Sequence, residues 1–86
     1  MEPKLILLMN RQILVSQIEE QTSELGEPDC KLLEPFLLNQ SDLTLSPWLM
    51  DYTTQNYFMM HSDKILTIAE PNTKLKDKYK TLIDGE

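Results

Sequence analysis

The sequence predicts a mainly β domain: a small, strongly bent sheet of about five strands with one short C-terminal helix. Three observations predict it. Short runs of β-compatible apolar residues are separated by Pro, Gly, Asn and Asp. One of those runs alternates apolar with polar residues. A helical stripe is confined to the end of the chain. Residues 1–70 are expected to form the sheet, and residues 71–86 an amphipathic helix packed on or beside it.

The elements follow in order. "PKLILLMN", bounded by Pro3 and Asn10, reads as a first strand, and Asn10-Arg11 suits a tight turn. "QILVSQIEEQTSE" reads as a second, with Leu14, Ser16 and Ile18 on one face and Val15, Gln17 and Glu19 on the other. A helix is the rival reading there, because Gln and Glu are good helix formers. The β-branched Ile13, Val15 and Ile18 and the lack of a 3.6-residue apolar stripe favour a strand.

"LGEPD" (Leu25 to Asp29) is a loop. "CKLLEPFLLNQ" reads as a third strand, in which Pro35 implies an edge position or a bulge, because proline cannot donate to the ladder. A short strand is expected around Leu43 to Leu45, followed by a connection holding Pro47. Tyr57–Met60 and Ile65–Ile68 supply two more strands around the tetrapeptide His61-Ser62-Asp63-Lys64, the pattern of a hairpin with a polar tip. In the tail, Leu75, Tyr79, Leu82 and Ile83 fall at helical spacing, with Asn72 as the expected cap and Gly85 as the stop.

Composition narrows the function classes. At 86 residues the chain is one small domain, of the kind that often gains stability by association with copies of itself. A net charge of −6 argues against a broad nucleic-acid or anionic-membrane surface, although the lysines collect late, at Lys64, Lys74, Lys76, Lys78 and Lys80. Cys30 is the one cysteine, so no intrachain disulfide forms; with one histidine, a zinc site of ordinary composition is excluded as well. Two glycines leave little room for a phosphate-cradling loop, and no cofactor is expected. "KLILLMN" is too short for a signal peptide or a membrane span, so the protein is expected in the cytoplasm with no membrane partner.

No catalytic residue stands out. His61 beside Ser62 suggests a base and a nucleophile, but adjacent residues on a turn seldom point at each other, and no acid is placed to orient the histidine. Glu19 and Glu20, as neighbours on a strand, point to opposite faces. Pro47-Trp48 is either a binding patch or packing in the core or at an interface, and Met50, Met59 and Met60 are expected to fill a core or an interface.

The motifs also carry a resemblance. Asn10, Leu14, Gln17, Ile18 and Glu19 in "LILLMNRQILVSQIE" resemble the opening of Sm-like (Lsm and Hfq-type) proteins, with Arg11 and Ser16 standing where that family usually has glycines. Met59-Met60, His61-Ser62, Asp63-Lys64, Ile65 and Ile68 keep the spacing of the second Sm motif, with His61-Ser62 in place of its Arg-Gly. "EPFLL" and "PW" look like the short Sm-like proteins of marine cyanophages.

The resemblance implies a five-stranded bent Sm-like (SH3-like) barrel over residues 1–70, assembled with copies of itself into a closed pentameric to heptameric ring. It also implies a cytoplasmic setting in an infected bacterial host. Pairing of Tyr57, Phe58, Met59 and Met60 of one copy with Ile65, Leu66, Thr67 and Ile68 of the next would satisfy both sheet edges. Single-stranded RNA at the pore is the partner it implies, with His61, Ser62 and Lys64 as the residues that would meet it. The alternative for the turn is a polar tip selected for geometry. The alternative for the whole chain is an assembly ring that has lost RNA recognition, which the acidity and the missing Arg-Gly favour.

Overall fold

The computed structural model describes residues 2–22 and 24–84. They form one antiparallel sheet and one helix. The strands are β1 (Lys4–Leu8), β2 (Ile13–Glu20), β3 (Cys30–Leu38), β4 (Leu45–Pro47), β5 (Tyr57–Met60) and β6 (Ile65–Ala69), followed by α1 (Thr73–Ile83). The pairing order is β4-β3-β2-β1-β6, with β5 also on β3. β4 pairs with Phe36–Leu38 and β5 with Cys30–Leu33, so the two share one flank of β3 as a single interrupted strand, with residues 48–56 looped out between them.

Alternation on β2 sets the inner face. Leu14 is fully buried, and with Ile6, Leu8 and Leu32 it forms the core cluster, flanked by Ile18, Leu37, Trp48, Met60 and Ile65. Ser16, on the same face, is also fully buried; its hydroxyl donates to the carbonyls of Gln17 and Leu33 at 2.7 and 3.1 Å. Burial of the hydroxyl is therefore compensated.

The sheet bends at a bulge. Val15 pairs with Phe36 and Gln17 with Leu33, so Glu34 and Pro35 together oppose Ser16. Glu34 takes up the extra residue in the left-handed region, at φ +51°. Pro35 thus sits in a central strand, tolerated because it falls in the gap between the β4 and β5 pairings. Of the two expectations for this proline, the bulge is found and the edge position is not.

The helix closes the opposite face. Asn72 Oδ1 accepts the Leu75 amide at 2.9 Å, the expected cap. Leu75 and Tyr79 are buried, Ile83 is half-buried, and Leu82 is exposed. Phe36, which points away from the core of Leu14 and Leu37, meets Tyr79 edge-to-face at 5.6 Å. The Tyr79 hydroxyl reaches the bulge itself, donating toward the carbonyls of Glu34 (3.0 Å) and Leu33 (3.2 Å) and accepting the Gln17 amide at 3.3 Å. Burial raises the Tyr79 hydroxyl to about 12. The expected stop, Gly85, lies outside the described residues.

Three expectations are corrected. The short strand expected around Leu43 to Leu45 lies at Leu45–Pro47, because Leu43 is in the left-handed region, at φ +60°. Pro47, expected in a connection, ends that strand. Most consequentially, Tyr57–Met60 and Ile65–Ala69 are not a hairpin: β5 pairs with β3, and β6 pairs with β1. The tetrapeptide between them joins strands that have different partners.

Candidate functional site

β5 and β6 present the site. Each is paired on one side only among the described residues, so each offers a row of backbone N–H and C=O groups to a further strand. Their side chains are apolar and half exposed: Tyr57 49%, Met59 47%, Leu66 55% and Ile68 50%. Phe58 and Met60 point inward, with Met60 against the core and Phe58 edge-to-face with Trp48 at 5.5 Å. Lys31 lies over the Tyr57 ring, 5.0 Å from its centroid.

Ile68 pairs with Ile6 and therefore shares its face, yet Ile6 is wholly buried while Ile68 is half exposed. The inner face of the sheet is thus uncovered along β6. A cleft of about 650 Å³ opens there, floored by Ile18, Cys30, Ile65 and Ile68 and rimmed by Glu20 and Asp29. Burial is the main force pushing the Cys30 thiol up, helped by the charges of Asp29 and Glu20. The thiol is therefore not an activated nucleophile.

The segment between the edges is a single 3-10 turn, Ser62–Lys64, entered through an extended His61. Its ends are tied down. The Lys64 carbonyl accepts the Met9 amide at 3.0 Å, linking the turn to the β1–β2 connection. Ser62 donates its amide and its hydroxyl to the two carboxylate oxygens of Asp29, both at 2.7 Å. The Ser62 hydroxyl, then its amide, holds the Asp29 carboxyl below the usual range, against a smaller opposing effect of desolvation.

The three residues singled out on this turn are together and exposed: His61, Ser62 and Lys64. Chemically they are not equivalent. The Ser62 hydroxyl is committed to Asp29 and not to the imidazole, so no Ser–His nucleophile is assembled. His61, Ser62 and Asp63 face Glu24, Glu27 and Asp29 across a shallow depression, so its charged lining holds four carboxylates. Asp29, which sequence reasoning left as part of a loop, is the residue that organises the junction. Its only signal was a carboxylate immediately before the first residue of β3. Tyr79 was legible as part of a buried stripe, whereas the task of its hydroxyl was not.

Among the described residues no cluster of His, Cys, Asp or Glu is arranged to hold a metal ion. No described helix is long and apolar enough to cross a membrane. No curated protein is detectably similar to the sequence. The model of a family of unknown function (DUF6561) matches residues 1–84, and the chain belongs to that family.

Proposed function

We propose that the chain is a non-enzymatic self-assembly module, a homo-oligomeric ring of Sm-like architecture in which β5 of one copy pairs with β6 of the next. One observation carries this reading: the two free edges are apolar, and the inner sheet face beside β6 lies open where a neighbouring strand would extend the core. The two edges are different surfaces, so the contact is head-to-tail and must close into a ring or run on as a filament. The strand order, with β1 to β3 central and β4, β5 and β6 outermost, and the bulge in β3 support the Sm-like reading.

The test is mass in solution by light scattering. A pentamer to heptamer of the 10.0 kDa chain would give roughly 50–70 kDa. A mass of one chain at micromolar concentration would overturn the reading.

A second reading, single-stranded RNA bound at the pore, is favoured by the exposure of His61 and Lys64 on one turn. The four carboxylates around that turn oppose it. Titration with short U-rich and A-rich RNA at several salt concentrations separates the two. Binding at low salt that weakens steeply with added salt, and that His61→Ala reduces, supports RNA. No binding at low salt leaves assembly as the function.

A further inference from the structure

A second concavity adjoins the inner side of β5 and is built within one chain. It is a cleft of about 410 Å³ between the β3 bulge, the looped-out residues 48–56 and the end of α1, a volume in the range of small-ligand sites. Its apolar walls include Phe36, Trp48, Met50, Phe58 and Leu82. Trp48 and Phe58 meet edge-to-face at 75°, so two aromatic rings set at a steep angle bound part of the wall. Glu34 is the only ionisable residue among those described that line it.

Two features make Glu34 more than a bystander. Its backbone is fixed on both sides, the amide donating to the Asn56 carbonyl at 2.7 Å and the carbonyl accepting the Tyr79 hydroxyl at 3.0 Å. Its φ of +51° is a position where glycine or asparagine is the undemanding choice. Among the described residues, its carboxylate is in no ion pair. Lys31, on the same strand, is instead placed over the Tyr57 ring. A largely apolar cleft lined by two aromatic rings and one carboxylate outside the described ion pairs is complementary to one ligand chemistry, a cation with a hydrophobic coat.

We propose that this cleft is a binding site for a small alkylated ammonium group, with Trp48 and Phe58 as its ring walls and Glu34 as its counter-charge. Aromatic faces attract a cation through their quadrupole and also favour its methyl groups by contact, whereas a neutral isostere keeps only the contact. All the residues that line the cleft come from one chain, so choline binding is read separately from the mass that tests the assembly reading.

Trp48 is the only tryptophan in the chain and reports directly from the wall. The experiment is a fluorescence titration of the full chain with choline, and in parallel with 3,3-dimethyl-1-butanol, which replaces the quaternary nitrogen by carbon. Saturable change in Trp48 emission is expected with choline, at an affinity about tenfold or more above that of the neutral alcohol. Glu34→Gln, which keeps shape and hydrogen bonding, should abolish that preference while leaving the far-ultraviolet circular dichroism unchanged. Should Glu34→Gln disturb the bulge, Phe58→Leu serves as the second variant and should weaken choline binding by a similar factor. No saturable response to choline, equal binding of the two compounds, or a preference that survives Glu34→Gln would overturn the proposal.

Discussion

Asp29 and Ser62 are separated by 33 positions in the chain, and the Asp29 carboxylate accepts a two-point contact from Ser62, the backbone amide and the hydroxyl each 2.7 Å from a different carboxylate oxygen. That contact joins the β2–β3 loop to the turn between the two free edge strands. It therefore fixes the direction in which β6 leaves β5, and with it the relative placement of the edges that a neighbour would have to meet.

The contact makes the junction acid-sensitive. The Asp29 carboxyl titrates below its unfolded value. Its stabilising contribution is therefore complete above the ordinary aspartate range of about 4 and is lost as pH falls through the lower, folded value. Protection of the Ser62 amide against exchange is expected to fall over that acid window and to be reduced at all pH values in Asp29→Asn. An Asp29→Asn protein with unchanged Ser62 protection would show that the carboxylate charge is irrelevant.

Tyr79 makes the opposite prediction at high pH. Its hydroxyl titrates at about 12, above its unfolded value, so its contribution is intact below about pH 10 and fades as pH rises toward the folded value. Tyr79→Phe leaves the Gln17 amide without this partner and should cost about 1–3 kcal/mol. Thermal denaturation would show this as a drop in Tm of roughly 4–8 °C per kcal/mol. The variant's alkaline unfolding should also begin later, since the ionising group is gone.

Charge placed on the edges should dissolve the proposed assembly. Met59→Lys and Ile68→Lys each put an ammonium on a half-exposed position of an edge strand. Light scattering is expected to give the mass of a single chain for both, with circular dichroism like that of the parent. Persistence of the parent mass in both variants would place the contact between copies elsewhere.

Backbone conformation gives a pair of predictions with opposite sign. Leu43 is exposed at φ +60°, so Leu43→Gly should stabilise by about 0.5–1 kcal/mol, the relief of left-handed strain exceeding the entropy cost of glycine. Gly26 is at φ +88° with open space where a Cβ would go, so Gly26→Ala should destabilise by about 1 kcal/mol from backbone strain alone. Denaturant midpoints measure both.

The local features of the fold were legible and the pairings were not. Asn72 caps the helix as its position before Thr73 implied, and β1, β2, β5 and β6 start within a residue or so of where apolar runs begin. Leu14, Ser16 and Ile18 do share a face. What failed was non-local: which strand accepts β5 is decided by β3, far back in the chain, and no feature of "YFMMHSDKILTI" itself says that its two halves part company. Pro35 shows the same limit, since its place in a central strand depends on a gap created by residues 48–56. The candidate turn was found from composition; its partner Asp29 was not, because the contact is made only once the sheet has folded around.

The interruption of the outer strand has a further consequence. β4 and β5 hold their registers on β3 independently, each through its own pairs and through the backbone bonds of Trp48 and Asn56 to β3, and residues 49–55 carry no ladder between them. Length can therefore change in that segment without shifting any strand. Such a place is a natural graft point: a short epitope or a reporter peptide inserted there would leave both edge strands, and whatever they join, in register.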